Sequence, residues 1–502
     1  MNRVEYFSPI DNAYRHYQAL DGDWYIAFGR QLNESYEKGV PHQEMIPVPG
    51  SFRHMYLDRD RAYFLGPVWY EKETFIPKTW LGEEVFLRFS HVPERVSIYV
   101  NGIHAKTLGP QQAAAIIECA QYLRYDDKNI IVIKSFAQDA NYRTGGLTMD
   151  ISLFTVPTTR ILDVTWQKVS VVAGKAILPY VAKLQGNSVV TTTLRNRDGK
   201  IVATAVGNNA SLTVDGPNFW STSSPYLYTV DFEVSRLGKQ TDCYTMQVGI
   251  REGSVLQQDA MVAVTTWNDD PVWQKRHVQE LKRYGYTGML ITERDISTRV
   301  AKLSAQEGIE VYLQLPIEPL EALRETSFFR KEEDSETRNI LHTELMEEYK
   351  HAPAVAAWHI TLPSVTPGTK DLLPSYLNFF SKELEHLNTF DRPVVLEVAL
   401  EEVKLWESLF FFVDAVVVRI TTDSIGARGK EGADLFVQLG QKLAEIRAQY
   451  SILATYPLWN MKKLEDIPNL LLQDGLAALE EVQVTKGKWI EGSLSHLSVI
   501  KK

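Results

Sequence analysis

The segment VAVTTWNDDPVWQKRHVQELKRYGYTGMLIT, residues 262–292, decides the fold because it contains a complete strand–helix–strand pattern. VAVTTW and TGMLIT are apolar runs rich in β-branched residues, which is typical of buried strands. Between them, Asp270 and Pro271 are the residue types preferred at a helix N-cap and first turn. Gly285 directly follows the predicted helix and is a common stop signal. The segment therefore predicts a βαβ unit.

The same rhythm continues from this unit to the C-terminus. A further helix is predicted through Val300 and Leu303 up to Gly308, and an amphipathic helix is predicted over ADLFVQLGQKLAEIRAQ, residues 433–449. The later apolar strand-like runs are IEVYLQLP (309–316), AVAAWHIT (354–361), PVVLEVAL (393–400), DAVVVRI (414–420), YSILATY (450–456) and KWIEGSL (488–494). Eight βα units in about 245 residues predict a (β/α)8 TIM barrel over residues 257–502.

The residues before the barrel have a different period. EVFLRFS (84–90), RVSIYVNG (95–102), NIIVIKSF (129–136) and MDISLF (149–154) alternate with a period of two, so residues 1–157 are predicted to form a β-sandwich or jelly roll. Residues 158–256 hold a second set of short strands. Asp198 and Gly199 lie between two of them, as a hairpin signal. About 100 residues with this many strands suit an immunoglobulin-like sandwich.

Composition excludes several classes of protein. The chain has 502 residues, a net charge of −10, 44% hydrophobic residues and two cysteines, Cys119 and Cys243. Roughly three domains fit this length. No Lys/Arg-rich block or nucleic-acid motif occurs, so nucleic acid is not an expected partner. Two distant cysteines exclude a disulfide framework and a cysteine-based zinc site. The first residues lack a signal-peptide core, and no run is long enough for a membrane span, so we expect a cytoplasmic location.

Local motifs resemble those of glycoside hydrolase family 2, the family of β-galactosidases, β-glucuronidases and β-mannosidases. The first domain resembles the family in LDGDWYIAF (20–28), IPVPGSF (46–52) and GPVWYEKETFIP (66–77). The second domain resembles it in GPNFWSTSSPYLYTV (216–230) and VGIR (248–251). In the barrel, YKHAPAVAAWHITLPS (349–364) is similar to the segment that ends in the family's Asn-Glu pair. The resemblance implies a jelly-roll galactose-binding-like domain, an immunoglobulin-like sandwich and a TIM barrel.

The resemblance also implies a retaining mechanism that uses two carboxylates about 5–5.5 Å apart. Alignment on Pro353 and Trp358 puts the family's Asn-Glu pair, which supplies the acid/base, on Leu362 and Pro363. The family's nucleophile, at the end of the seventh strand, falls near Ala454 or Thr455, and residues 447–460 contain no Asp or Glu. No catalytic residue is therefore predicted at the family's positions.

Other polar and aromatic residues lie close to predicted strand ends, where a barrel binds ligands. Each has a structural interpretation that is more common than the functional one, because strand-end polar groups often anchor loops and Trp often packs cores. No ligand set for a metal and no cofactor site is predicted. The candidate ligand contacts are Trp267, Glu293, Trp358, His359, Glu397 and Glu491.

Three hypotheses about function follow. The first is a catalytically degenerate pseudoenzyme of family 2 type that binds a carbohydrate or a protein partner. The second is an active retaining β-glycosidase, an O-glycosyl hydrolase, that uses relocated carboxylates at the mouth of the barrel. The third is a structural subunit of a larger assembly. Turnover of β-glycosides, saturable sugar binding and a co-purifying partner distinguish them.

Overall fold

The structure of the protein is a computed structural model. It describes residues 9–29, 35–92, 94–109, 114–137, 145–167, 169–251, 256, 259–265, 267, 271–292, 296, 298–315, 343, 345–366, 368–388, 392–420, 445, 454–460 and 488–491. The chain divides into two compact units. The first comprises Met1–Pro217, Tyr228–Val248 and Asp269–Pro271; the second comprises Asn218–Leu227, Gly249–Asn268 and Val272–Lys502.

The first unit begins with an antiparallel sandwich. Its six-stranded sheet has the order β3-β2-β4-β9-β6-β7, and its four-stranded sheet has the order β1-β10-β5-β8. The strands are β1 (Tyr17–Ala19), β2 (Gly22–Phe28), β3 (Met45–Val48), β4 (Gly66–Ile76), β5 (Glu84–Phe89), β6 (Val96–Val100), β7 (Ile103–Leu108), β8 (Ala115–Glu118), β9 (Asp127–Ala137) and β10 (Ile151–Val156). The short helices α1 (Phe52–Met55) and α2 (Arg59–Ala62) and the 3-10 turns Lys78–Trp80 and Ala120–Tyr122 connect them.

A second set of antiparallel strands follows in the same unit. One sheet has β13 paired with β11, β12 and β16, and the other has the order β15-β14-β17-β18. The strands are β11 (Arg160–Trp166), β12 (Ser170–Val172), β13 (Lys175–Gln185), β14 (Val189–Arg195), β15 (Ile201–Val206), β16 (Asn209–Asp215), β17 (Tyr228–Arg236) and β18 (Lys239–Val248). The predicted hairpin is confirmed, because β14 and β15 pair antiparallel and Gly199 has a φ of 78° between them.

A buried ion pair ties the N-terminal segment to this second set of strands. Nε and one terminal nitrogen of Arg15 donate to the two carboxylate oxygens of Asp242, each at 2.8 Å. The backbone N–H of Ile161 also donates to Asp242. Such a pair is stabilising only when its remaining hydrogen-bonding groups are satisfied, as they are at this carboxylate.

The second unit contains a closed barrel of eight parallel strands, β19 to β26 in chain order. The strands are β19 (Met261–Val264), β20 (Gly288–Thr292), β21 (Glu310–Gln314), β22 (Val355–Thr361), β23 (Val394–Ala399), β24 (Ala415–Ile420), β25 (Ala454–Asn460) and β26 (Lys488–Glu491). The helices are α3 (Pro271–Arg283), α4 (Thr298–Glu307), α5 (Leu373–Leu387) and α6 (Val403–Trp406), with 3-10 turns at Lys370–Leu372, Leu400–Glu402 and Glu407–Phe412. The expected order, antiparallel β segments followed by a parallel barrel with helices, is confirmed.

Alternation along the barrel strands separates two buried layers. Ala357, Val395 and Val417 belong to a cluster that also holds Tyr312, Tyr456 and Trp489 and fills the inside of the barrel. The residues on either side of Val395 and Val417, and Trp358 after Ala357, belong to the larger cluster between the strands and the helices. Because side chains alternate along a strand, every second residue of these strands faces the inside. This alternation fixes which polar residues point into the barrel.

Two predicted helices can be compared with the structure. α3 begins at Pro271 and is followed by Gly285 with a φ of 84°, and α4 is followed by Gly308 with a φ of 71°, as predicted. The amphipathic helix predicted over 433–449 lies outside the described residues, apart from one helical residue, Glu445. In the described part of the chain, no helix combines the length and the apolar character needed to cross a membrane.

Candidate functional site

The carboxyl end of the barrel carries a cluster of polar side chains on four consecutive strands. His359 is two residues after Ala357, Glu397 is two after Val395, and Arg419 is two after Val417, so the alternation places all three on the inside face. Polar groups at the carboxyl ends of parallel barrel strands are positioned to meet a ligand. We call these residues the Glu397 cluster: Gln314, His359, Thr361, Glu397 and Arg419.

Glu397 is the centre of this cluster, and both of its carboxylate oxygens have partners. A terminal nitrogen of Arg419 donates to Oε1. Nε2 of His359 lies 3.2 Å from Oε2, and the hydroxyl of Thr361 donates to the same oxygen at 3.4 Å. Nε2 of Gln314 donates in turn to the Thr361 hydroxyl at 2.9 Å. The carboxylate is therefore held by groups from both neighbouring strands.

The electrostatics of Glu397 follow from these contacts. Burial by itself would raise the pKa of Glu397, because it penalises the charged form. The contacts with His359 and Arg419 oppose this effect and outweigh it, so the pKa of Glu397 is lowered from its ordinary value. The carboxyl group is thus ionised at neutral pH, although only 3% of its side chain is exposed.

His359 adds an unpaired donor or acceptor inside the barrel. Its side chain is fully buried and stacks on Trp489 of β26, with ring centroids 5.2 Å apart. Nδ1 of His359 and Nε1 of Trp489 have no hydrogen-bond partner among the residues that the structure describes, and Nε2 of His359 approaches Glu397 at 3.2 Å without the geometry of a hydrogen bond. Buried polar atoms are usually paired, so such atoms are a reason to look for a ligand or an ordered water.

A second buried carboxyl group lies at the opposite, amino end of the barrel. Arg251 donates to Glu310, the first residue of β21, at 2.8 Å, and also to the carbonyl of Pro353 at 2.8 Å. The Arg251 guanidinium stacks over Trp220 at 4.0 Å from the ring centroid. Burial raises the pKa of Glu310 in spite of the arginine. Glu310 and Trp220 are buried and the Arg251 side chain is only 14% exposed, so we interpret the arrangement as a closure of the barrel's amino end.

The other predicted ligand contacts have different locations. Trp358 is fully buried in the cluster between the strands and the helices, so its side chain faces away from the barrel interior, which differs from the prediction. Trp267 follows β19 and packs edge-on against Trp273 and His277, with both pairs of centroids 5.4 Å apart. Glu491 ends β26 and is part-exposed on the inside face, two residues after Trp489. Glu293 lies outside the described residues.

The structure also gives the locations of the residues that the resemblance puts at the family's catalytic positions. Leu362 and Pro363 directly follow β22; Leu362 is buried, and its backbone N–H donates to the carbonyl of Glu397. Ala454 and Thr455 differ from the prediction, because they are the first residues of β25 as described, and the strand continues to Asn460. The carboxyl end of this strand is thus Leu458–Asn460, which contains no carboxylate.

The sequence by itself does not single out Arg419, Gln314 and Thr361 as site residues. The missed signal for Arg419 is alternation in AVVVRI, which puts it on the same face as Ala415 and Val417. A metal site is not formed by these groups: within the described ranges, no three His, Cys, Asp or Glu side chains lie close enough together to hold an ion.

One segment of the chain matches the model of a known protein family. Residues 161–251 match the model of glycosyl hydrolases family 2. The chain is similar to the glycosyl hydrolases of family 2. The matched segment covers strands β11 to β18, which are the second set of antiparallel strands.

Among individual proteins, the chain is similar in sequence to several beta-glucuronidases. The mouse beta-glucuronidase is 25% identical over 306 residues, which cover 51% of this chain and 47% of the mouse protein. The human beta-glucuronidase is 25% identical over 314 residues, covering 51% and 48%. The chain thus spans about half the length of these relatives. The pig beta-glucuronidase is 22% identical over 462 residues, covering 77% of this chain and 69% of that protein.

Solved structures show the same fold over nearly the whole chain. The crystal structure of Ruminococcus gnavus beta-glucuronidase has a TM-score of 0.80 at 17% identity and covers 97% of this chain and 92% of its own. The same enzyme in complex with D-glucaro 1,5-lactone has a TM-score of 0.78 at 17% identity, covering 97% and 93%. The architecture is therefore beta-glucuronidase-like.

Proposed function

We propose that the protein is a glycoside hydrolase that acts on β-glycosides at the carboxyl end of its barrel, with β-glucuronides as the first substrate class. One observation carries the proposal: a buried, ionised carboxylate and a part-exposed guanidinium, Glu397 and Arg419, meet where barrel enzymes bind their substrates. The similarity to beta-glucuronidases supports the reaction type and the sugar.

The reaction needs two carboxyl groups with different roles. Glu397 is ionised, and it suits the stabilisation of the positive charge that develops on the sugar ring. As the ionised group of the pair, Glu397 would also attack the anomeric carbon or activate a water molecule. Glu491 is more exposed on the same face, and it suits donation of a proton to the oxygen of the leaving group. A separation of about 5–5.5 Å between the two groups would give retention, and about 6.5–9.5 Å would give inversion.

A second candidate function is binding of a β-glycoside without hydrolysis, as in a pseudoenzyme. The observation that favours it is the end of β22, where Leu362 and Pro363 have no side chain that transfers a proton. Engagement of both Glu397 oxygens by neighbouring residues favours it too. This candidate predicts saturable binding with no turnover. The third hypothesis, a structural subunit, stays a prediction.

The test is hydrolysis of a panel of 4-nitrophenyl β-glycosides: the glucuronide, galactoside, glucoside and mannoside. We expect release of nitrophenol from the glucuronide, and loss on the order of 10³-fold or more in Glu491→Gln, as for removal of a catalytic group. The exposed Glu118→Gln change in β8 serves as the control and should leave the rate unchanged. Folded protein with no turnover on any substrate would contradict hydrolysis, and saturable binding in the same samples would then support the second candidate.

We also propose the finer description of the domains and the location. Residues 1–157 would form a jelly-roll, sugar-binding-like domain, residues 158–256 an immunoglobulin-like sandwich, and residues 257–502 a TIM barrel, in a cytoplasmic protein. The family match over 161–251 supports the middle domain. Expression of residues 158–256 alone tests it: a cooperative unfolding transition is expected, and an unfolded fragment would contradict an independent domain.

A further inference from the structure

Arg419 is more exposed than Glu397, the residue with which it forms an ion pair at the carboxyl end of the barrel. Its side chain is 30% exposed, compared with 3% for Glu397. Arg419 is the penultimate residue of β24 and lies two residues after Val417, on the same face of the strand. A ligand that enters from this end therefore reaches the guanidinium before it reaches the carboxylate.

The hydrogen bonding of the two groups also indicates that Arg419, rather than Glu397, is available to a ligand. An arginine side chain has five N–H donors in a planar fork, so it can bind two carboxylates at once through different edges. Within the described part of the chain, Arg419 donates only from one terminal nitrogen, to Glu397. Among those described residues, no acceptor lies on its Nε or on its other terminal nitrogen, so both keep donors for a ligand.

Glu397, in contrast, has little capacity left to accept further hydrogen bonds from a ligand. Oε1 accepts from Arg419, while Oε2 is in contact with both His359 and the Thr361 hydroxyl. These contacts hold the carboxylate in one orientation and, through it, fix the guanidinium. A fixed guanidinium with free donors binds a planar anion with less loss of side-chain entropy than a mobile one.

We propose that Arg419 is a specificity-determining residue, which selects sugars that carry a carboxylate, the uronic acids, over neutral hexoses. Glu397 is then the positioning residue that aims the arginine. The inference rests on the proposed function, because it assumes that a β-glycoside binds at this end of the barrel. It goes beyond that function in assigning the selection of the sugar to one residue.

The test compares two ligands that differ only at C6: methyl β-D-glucuronide, a carboxylate, and methyl β-D-glucoside, a hydroxymethyl group. Binding of each is measured by titration calorimetry. The wild-type protein should prefer the glucuronide by about 10- to 100-fold, as expected for hydrogen bonds between charged groups. In Arg419→Met this preference should fall to about 1, while Arg419→Lys should retain part of it. The exposed Arg276→Met in α3 is the matched control and should keep the full preference.

Removal of Arg419 alone leaves the buried Glu397 charge unpaired, so Arg419→Met can lose stability. The double variant Glu397→Gln/Arg419→Met removes both charges and should fold, bind both glycosides and show no preference. Two results would overturn the inference alone: equal binding of both ligands by the wild type, or an unchanged preference in the double variant. If neither glycoside binds the wild type, the proposed function fails and the inference fails with it.

Discussion

At the scale of single residues, two largely buried carboxyl groups have pKa shifts of opposite sign. Burial would raise the pKa of both groups. At Glu397, the contacts with His359 and Arg419 reverse that effect. At Glu94 in the first sandwich, burial raises the pKa to about 7, because the Ser135 hydroxyl, the Arg53 charge and a backbone N–H of Gly146 offset it only in part. The partners of a buried acid thus decide its charge.

Glu397→Gln tests the first of these groups. Because the pKa of Glu397 is lower in the folded protein than the ordinary value of about 4.3, its ionised form stabilises the fold above pH 4.3. We expect Glu397→Gln to lower the free energy of unfolding by about 1–3 kcal/mol at pH 7. That difference should shrink as the pH falls below about 4.3 and through the folded-state pKa. Urea unfolding measured from pH 3 to 8 gives the result, and a difference that grows towards low pH would contradict the assignment.

Glu94→Gln should behave in the opposite way. The pKa of Glu94 is raised to about 7, so the stability linked to its protonated form is present at low pH and lost as the pH rises through 7. Gln does not ionise, so the variant should gain stability relative to the wild type between pH 5 and pH 8. Ser135→Ala removes a hydrogen bond to the charged form and should move the midpoint of this change upward. The free energy of unfolding is measured for both proteins at pH 5 and pH 8. A difference between Glu94→Gln and wild type that is the same at pH 5 and pH 8 would refute the prediction.

At the scale of elements, the sequence predicts strands and helix ends better than it predicts where strands stop. Period-two alternation, Pro271 and Gly285 locate a strand, a helix start and a helix end correctly. The strand predicted over 262–267 is shorter, because β19 ends at Val264 and Thr265 instead pairs its hydroxyl with Nε2 of His277 at 2.8 Å. The sequence does not show whether a threonine such as Thr265 continues the strand or uses its hydroxyl for a hydrogen bond to a helix side chain.

The glycine that follows α4 offers a test of an element boundary. Gly308 has a φ of 71°, and a Cβ there would lie 2.7 Å from the carbonyl oxygen of Thr222. Gly199 has a similar φ of 78°, but a Cβ there would meet nothing within 4 Å. We expect Gly199→Ala to cost about 1–2 kcal/mol from backbone strain alone. Gly308→Ala should cost about 1–3 kcal/mol more, because of the added overlap. Equal losses of unfolding free energy in the two variants would show that the contact with Thr222 does not matter.

At the scale of the whole molecule, the architecture follows from the sequence more fully than the site does. The sequence predicts both His359 and Glu397 near strand ends, and in the structure Nε2 of His359 lies 3.2 Å from Oε2 of Glu397. The sequence does not predict the contact with Arg419, because 22 residues of chain separate it from Glu397 and the register of β23 against β24 brings the two together. Alternation gives the face of a residue, but register between parallel strands depends on packing that single-strand patterns do not encode.

The central claim is that the carboxyl end of the barrel is a β-glycoside site. The most direct measurement is a crystal structure of the protein soaked with D-glucaro 1,5-lactone, the compound bound in a solved relative. We predict density for the sugar at the carboxyl end of the barrel, with its carboxylate on the guanidinium of Arg419. An empty barrel end at saturating ligand, or a sugar bound only elsewhere, would contradict the claim.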